Sequence, residues 1–350
     1  MTSSATSPVY PTRFLVVLMG ALGDVVRGLH LVDAIKSHVP SSHITWVVEP
    51  ACSEIVRMHP QVDEVIVFQR KAGIRGLPNL VREIRKRQYD VTLDLQRHLK
   101  SGLFSWLSRA PRRVGFHPQD AKEFNWVFNN EFIAQHGERI SKIEHYFLFL
   151  EKLGIAKPQA LRSGLEGVRL SGDSELRSVL ASPYVALVLG SSWDSKDWPE
   201  EGYRELIARL LEQYRGAEAV VLLGDKSKFE MGERLVAATS GSAGVVNLAG
   251  RTTLRELVGV ISGAKAVVGP DSGPAHIAAA VGTPHVTLFG PTPAVRNSPR
   301  GSEHLSITSA VGCSPCKRRV CPGLGKVCMR LISPQMVLEK LEVVGSSSGR

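Results

Sequence analysis

An α/β chain built as two doubly wound halves is the fold class the sequence predicts, on three observations. Two continuous apolar runs, Phe14-Leu15-Val16-Val17-Leu18-Met19 and Tyr184-Val185-Ala186-Leu187-Val188-Leu189, each end in a glycine-bearing turn. Such unbroken runs suit strands buried on both faces, and therefore parallel sheets. Each run opens a series in which strand-like segments alternate with helix-period segments, as repeated βαβ units require. Finally, 350 residues are long for one core, so two domains are expected.

In the first series, strands are expected at residues 13–19, 43–48, 64–67, 91–95 and 113–116. A helix follows the first strand at about 25–39. Another spans 77–88 with Arg82, Arg85, Lys86 and Arg87 outward, and an apolar stripe marks a third at 140–153. Residues 119–130 read as loop with exposed aromatics. Pro, Gly and Ser mix with weak periodicity over 154–180, the best linker segment. The second series has strands at 184–189, 220–223, 245–247, 264–268 and 285–289. Its helices are expected at 200–215, 253–263 (capped by Thr252 or Thr253) and 334–343. The division that follows is a flexible polar tail (1–12), a first domain (13–165), a linker (166–183), a second domain (184–332) and a final helix (333–346).

The sequence has no run of 18 apolar residues, so no membrane span is expected, and the first residues lack a basic-then-apolar signal. A cytoplasmic location is the default. The net charge of +10 is uneven: residues 57–113 hold 13 Lys plus Arg against 5 Asp plus Glu. This is either a solvated basic face or a surface for an anionic partner. No helix-turn-helix, zinc-finger or RNP signature accompanies it, so nucleic acid is not the expected partner. An acidic glycolipid at a membrane surface fits the charge.

The segment richest in chemistry is Gly269-Pro270-Asp271-Ser272-Gly273-Pro274-Ala275-His276. It joins an apolar strand to a small-residue helix, and a second apolar run, 285–289, follows. Amides at a helix N-terminus, with its dipole, favour an anion such as a diphosphate. The plain alternative is a capped turn with Asp271 or Ser272 as N-cap. The first strand has a matching turn, Gly20-Ala21-Leu22-Gly23-Asp24. It lacks the third glycine of a dinucleotide fingerprint and the Lys-Ser or Lys-Thr pair of a Walker loop. Asp24 is either a simple N-cap or a carboxylate on a strand-end turn, where open α/β sheets place their chemistry.

These motifs, taken together and in order, resemble the glycosyltransferase family of the lipopolysaccharide heptosyltransferases, most closely the heptosyltransferase I type. The resemblance runs from about residue 13 to 344. It includes Trp46-Val47-Val48-Glu49, Asp94-Leu95-Gln96 with Leu99-Lys100-Ser101, and Arg113-Val114-Gly115-Phe116. It also includes Gly190-Ser191-Ser192 with Lys196-Asp197-Trp198-Pro199, and Asn247-Leu248-Ala249-Gly250. The resemblance implies a GT-B architecture, two Rossmann-like domains facing a cleft, with the final helix packing back toward the first domain. It implies inverting, metal-independent transfer of heptose from ADP-heptose to the Kdo/inner-core region of lipopolysaccharide, at the cytoplasmic face of the inner membrane and without a cofactor. Family members with another nucleotide sugar or acceptor are the runner-up. A doubly wound oxidoreductase lacks its glycine fingerprint here, and a basic adaptor without activity would not need Asp24, Lys196 and Asp271 together.

On that reading Asp24 is the general base. The sequence has no Asp-x-Asp metal motif, so cations and helix N-termini must bear the diphosphate charge. Lys196, Ser191, Ser192, Ser272 and Gly273 are the expected diphosphate contacts. Asp271 is assigned to donor-sugar hydroxyls, and His276 is either a donor contact or a structural histidine. One departure stands out: where the family places an acid that reaches the nucleotide ribose, soon after the strand 220–223, this sequence reads Gly224-Asp225-Lys226-Ser227-Lys228, so either Asp225 in a shifted register or Glu230 takes that part. Arg57, Arg97, Lys100 and Arg113 are expected at the acceptor, because guanidinium groups suit a sugar carboxylate. Cys313, Cys316, Cys321 and Cys328 follow a Cys-x2-Cys-x4-Cys-x6-Cys spacing that admits a structural zinc, although similar cysteine-rich turns in the family are not catalytic.

Overall fold

The computed structural model describes residues 10–347, apart from 139, 171–175, 177–179, 215–216, 240–243 and 324. Most of the expected tail and much of the expected linker therefore lie outside the described residues. The chain divides into two compact units, Met1–Gly164 and Leu165–Arg350.

The first unit holds a six-stranded, all-parallel sheet. Its strands are β1 (Arg13–Val17), β2 (His43–Val48), β3 (Glu64–Val67), β4 (Val91–Asp94), β5 (Arg112–Gly115) and β6 (Glu131–Phe132). They run in the order β3-β2-β1-β4-β5-β6. The helices are α1 (Leu22–His38), α2 (Pro50–Met58), α3 (Leu77–Arg85), α4 (Leu99–Leu107) and α5 (Lys142–Lys152). The second unit repeats the plan with β7 (Tyr184–Val188), β8 (Ala219–Leu223), β9 (Val245–Asn247), β10 (Ala266–Pro270), β11 (His285–Phe289) and β12 (Ser306–Thr308). Their order, β12-β11-β10-β7-β8-β9, is the same doubly wound order counted from β7. Its helices are α6 (Glu200–Gln213), α7 (Phe229–Ala237), α8 (Leu254–Gly263), α9 (Gly273–Val281), α10 (Ala294–Asn297), α11 (Val327–Arg330) and α12 (Pro334–Ser347).

In each sheet the chain reverses direction of winding between two neighbouring central strands: β1 and β4 in one, β7 and β10 in the other. These switch points, at the C-terminal ends of the strands, are where open α/β sheets bind ligands. Both central pairs are sealed by burial. Phe14, Leu15, Val16 and Val17 of β1, and Val185, Ala186, Leu187 and Val188 of β7, are at most 1% exposed. Each large side chain so buried contributes roughly 1.5–3 kcal/mol. Gly269 lets β10 close on β7, since a Cβ there would sit 2.6 Å from Val188 Cβ.

Local chemistry fixes the helix ends. Thr253 accepts from the Glu256 amide while Glu256 returns to the Thr253 amide, a full capping box on α8. Ser141 caps α5 through the Glu144 amide. α12 packs on α6, β10 and β11 of the second unit. Trp198 Nε1 donates to the Ile332 carbonyl at 2.9 Å and ties the approach to α12 into the same core.

Candidate active site

The turn after β1 is built by its neighbour. Gln96, just past β4, accepts from the amides of Met19 (2.9 Å) and Gly20 (3.3 Å) through Oε1. This holds the glycine turn against the switch point and sets Asp24 in the first turn of α1. Asp24 Oδ1 accepts from Arg27 Nη2 at 2.5 Å and from Lys142 Nζ at 3.1 Å. Burial pushes the carboxyl up, but the Lys142 ammonium and the Arg27 guanidinium outweigh it and hold Asp24 well below the usual carboxylate range. Its side chain is still 24% exposed, so an incoming group can reach it. Asp94, at the end of β4, behaves in the opposite way. It is fully buried and accepts from Asn125 Nδ2 at 2.6 Å and Asn129 Nδ2 at 3.2 Å. Burial raises its pKa and the neutral amides compensate only in part.

The second switch point carries a denser cluster. Lys196, in a short 3-10 turn after β7, donates through Nζ to Asp271 Oδ2 at 2.9 Å and to the Asp271 carbonyl at 3.0 Å. Its ammonium also lies 4.7 Å from the Trp193 ring centroid. Thr292 Oγ1 donates to Asp271 Oδ2 at 2.8 Å, and His276 Nε2 stands 3.8 Å from Asp271 Oδ1. Burial raises the Asp271 pKa, but His276 and Lys196 together drive it far below the usual range. Ser272 is the N-cap of α9 without a side-chain capping bond. Among the described residues its buried hydroxyl has no hydrogen-bond partner. With Gly273 at the first helical position, the amides of α9 and this hydroxyl stand together at the helix N-terminus, where the helix dipole favours an anion.

Ser191 is turned inward locally: its hydroxyl donates to the Trp193 carbonyl at 3.0 Å and accepts from the Trp193 amide at 3.1 Å. Ser192 is exposed beside it. Asp197 accepts from the Ser191 amide at 2.9 Å and from Lys228 Nζ at 2.5 Å, so a second ammonium stands at this turn. Asp225 follows β8 and caps the next turn through the Ser227 amide at 2.8 Å. It remains exposed at the C-terminal edge of the sheet, as does Glu230.

The four basic residues expected at the acceptor are not brought together. Arg97 and Lys100 lie past the end of β4, at the edge that carries Asp24. Arg97 adopts a left-handed conformation (φ 68°), and its guanidinium sits 5.3 Å over the Phe116 ring. Lys100 is exposed, its ammonium 5.4 Å from the Phe68 ring centroid. Arg113 is at the beginning of β5, paired in register with Thr92. Its guanidinium donates to the carbonyls of Phe128 (3.0 Å) and Ala110 (2.8 Å), so it braces backbone away from the ligand edge. Arg57 is in the last turn of α2, and a crossover helix of a parallel sheet ends at the N-terminal edge. Arg57 therefore does not stand after a strand or at a helix start, and Arg113 stands near the start of its strand rather than past its end. Arg27, Lys142, Thr292 and Lys228 went unassigned in the sequence. Arg27 alone had a local signal, three residues after Asp24 on one helix face.

The cysteines are all thiols, and Cys328 is buried while Cys313 is exposed. Burial, then the nearby charges of Cys313, Cys316 and Cys321, push the Cys328 thiol up. Among the described residues no three His, Cys, Asp or Glu side chains converge as ligands of one metal ion. The four thiols share a region but are not gathered into the zinc site their spacing admits.

Comparison with known proteins identifies the family. The model of glycosyltransferase family 9 (heptosyltransferase) matches residues 78–326. The chain belongs to that family, and it is a glycosyltransferase of the GT-B fold class. It is 27% identical over 295 residues to the lipopolysaccharide core heptosyltransferase OpsX of Haemophilus influenzae, covering 83% of this chain and 82% of that one. It is 28% identical over 325 residues to lipopolysaccharide heptosyltransferase 1 of Pseudomonas aeruginosa, covering 88% and 87%. Among solved structures, the E. coli heptosyltransferase WaaC with ADP superposes with a TM-score of 0.76 at 26% identity, over 95% of this chain and 99% of that one. The same enzyme has been seen with ADP-2-deoxy-2-fluoro heptose, with a TM-score of 0.74.

Proposed function

We propose that this family 9 glycosyltransferase moves heptose from ADP-heptose to the Kdo-bearing inner core of lipopolysaccharide, with inversion and without a catalytic metal, at the cytoplasmic face of the inner membrane. The observation that carries the donor half is the Lys196–Asp271–Thr292 cluster beside the unpartnered Ser272 hydroxyl at the start of α9. A cation and a helix N-terminus converge there, at the switch point where a nucleotide diphosphate fits. The similarity to heptosyltransferases crystallised with ADP and a fluorinated ADP-heptose supports the choice of nucleotide. Lys196 would neutralise charge that grows on the departing diphosphate, an interaction stronger in the transition state than in the ground state. Asp271, ionised by its neighbours, orients Lys196 and offers its remaining acceptor capacity to sugar hydroxyls. Asp225 or Glu230 would meet the ribose.

In the first unit Asp24 would accept the proton of the attacking hydroxyl. Its depressed pKa keeps it ionised, the form that can take up a proton. One carboxylate suffices for inversion, because attack and departure occur on opposite faces of the sugar. Arg97 and Lys100, at the same sheet edge, would meet the acceptor carboxylate.

The test is transfer from ADP-heptose to a Kdo-terminated lipid A acceptor, in EDTA, with the product anomer assigned by NMR. An inverted product formed at full rate in EDTA supports the proposal. Retention of configuration, or activity that returns only with Mg²⁺ or Mn²⁺, contradicts it. Preference for a different nucleotide in a thermal-shift panel would favour the second reading, a family member with another donor, which the Asp225/Glu230 register leaves room for.

A further inference from the structure

The first unit presents an apolar, basic-rimmed face that the reaction does not use. α4 places Leu99, Leu103 and Trp106 four and three residues apart, which puts them in one stripe along the helix. Leu99 and Trp106 are exposed, Trp106 by 53%. A short 3-10 turn, Asn125–Phe128, is seated on the N-terminal half of α4. Asn125 Nδ2 donates to the His98 carbonyl at 2.8 Å, and a Cβ on Gly102 would meet the Asn125 carbonyl at 2.8 Å. This turn holds Phe124 in a left-handed conformation, 74% exposed, with Trp126 and Val127 also outward. On the other flank α3 lies beside α4, and Leu77, Pro78, Val81, Leu103 and Leu107 line a groove whose rim is Arg82, Arg85 and Lys86. Among the described residues, acids beside the patch are engaged: Glu83 pairs with Lys86 at 2.7 Å, Glu123 with His98 at 3.1 Å, and Asp120 accepts from the His136 amide at 2.9 Å.

We infer that this face is a docking surface for a phospholipid bilayer carrying anionic headgroups, with Trp106, Phe124 and Trp126 lodged at headgroup level and Arg82, Arg85 and Lys86 over the phosphates. Exposed aromatics beside a basic rim match both halves of such an interface: amphipathic rings favour the headgroup region, and each Lys or Arg near an anionic surface adds attraction. A surplus of positive charge around the patch opposes a second copy of the same face, which would set like charges together. The position suits a lipid-linked acceptor, because the start of α4 and its seated turn flank the sheet edge that carries Asp24, Arg97 and Lys100. In this respect the inference rests on the proposed acceptor.

The test is co-sedimentation of the full chain with phosphatidylcholine vesicles containing about one quarter phosphatidylglycerol, at low and raised salt. An apolar variant (Trp106→Ser, Phe124→Ser, Trp126→Ser) and a basic variant (Arg82→Gln, Arg85→Gln, Lys86→Gln) are compared with wild type, after circular dichroism has shown native helix content. Transfer to an acceptor stripped of its acyl chains is measured alongside. Wild type should partition onto the anionic vesicles and release with salt. Each variant should partition at least about tenfold more weakly, with transfer to the stripped acceptor within about twofold of wild type. Equal partitioning of all three proteins overturns the inference. So does a wild type that dimerises through this face while the apolar variant stays monomeric. The readouts fail separately: a wild type that partitions as expected but transfers no heptose supports the docking face and overturns the assigned reaction.

Discussion

The two switch points are the same piece of topology furnished with different surroundings. Each sits between the paired central strands of an identical strand order, and each offers one carboxylate in a turn that enters a helix. Asp24 is held by two cations through one oxygen and stays 24% exposed. Asp271 is only 9% exposed and is held through both oxygens by Lys196, Thr292 and His276. On the proposed function this difference has a use: a base that meets the acceptor needs access, whereas a carboxylate that orients a cation toward a diphosphate needs rigidity. The same fold therefore supplies a reachable carboxylate in one unit and a locked one in the other.

The sharpest way to break the comparison is to neutralise the reachable carboxylate. Asp24→Asn should slow turnover by ~10²–10⁴-fold, the usual range for loss of a general base. Turnover above half of wild type would remove Asp24 from the proton's path. Next in size is Lys196→Ala, which should lower kcat/KM by about 10²-fold and weaken ADP binding, since the lost contact grows into the transition state. Calorimetry showing wild-type ADP affinity would count against it.

A smaller effect probes how Asp24 is tuned. Its folded pKa is depressed, so it is ionised throughout mildly acidic solution, and wild-type kcat/KM should show no acid limb from this group near pH 5. Lys142→Met removes the larger of the two opposing charges while burial remains, so the pKa rises and an acid limb should move upward into the measured range. The same depression means Asp24 contributes stability above its unfolded pKa, lost as pH falls toward the folded value. An unmoved acid limb in the Lys142 variant would mean that the ammonium does not tune the carboxylate.

Smallest for catalysis is Arg113→Gln. Its bonds to the Phe128 and Ala110 carbonyls make it a brace, so stability should fall by about 1–3 kcal/mol in urea melts while acceptor KM holds. Arg97→Ala or Lys100→Ala should instead raise acceptor KM with ADP affinity unchanged. A raised acceptor KM in the Arg113 variant would restore it to the acceptor site.

The fold was largely legible because its central strands are fully buried and so are written as unbroken apolar runs. The edge strands β6 and β12 were missed, although the edge strand β9, as short as β12, was read. The helices α2, α4 and α7 were not assigned either. In the site, Lys196 and Asp271 were legible as motifs, and the structure brings them into contact across 75 residues of sequence. Lys142 reaches Asp24 across 118 residues, a pairing only the packing of α5 on α1 can create. Thr292 is found only once β10 and β11 lie side by side. The contacts of Arg113 with the Phe128 and Ala110 carbonyls were not legible, because charge alone does not show which end of a strand a residue occupies.

The central claim is that the two carboxylate turns divide the work, acceptor activation in one unit and diphosphate binding in the other. It is tested most directly by measuring ADP affinity by calorimetry and single-turnover transfer on Asp24→Asn and Lys196→Ala side by side. The account predicts that Asp24→Asn binds ADP as wild type does while transferring ~10²–10⁴-fold more slowly. It predicts that Lys196→Ala loses both affinity and rate. An Asp24→Asn protein that loses ADP affinity, or a Lys196→Ala protein that keeps it, would contradict the division.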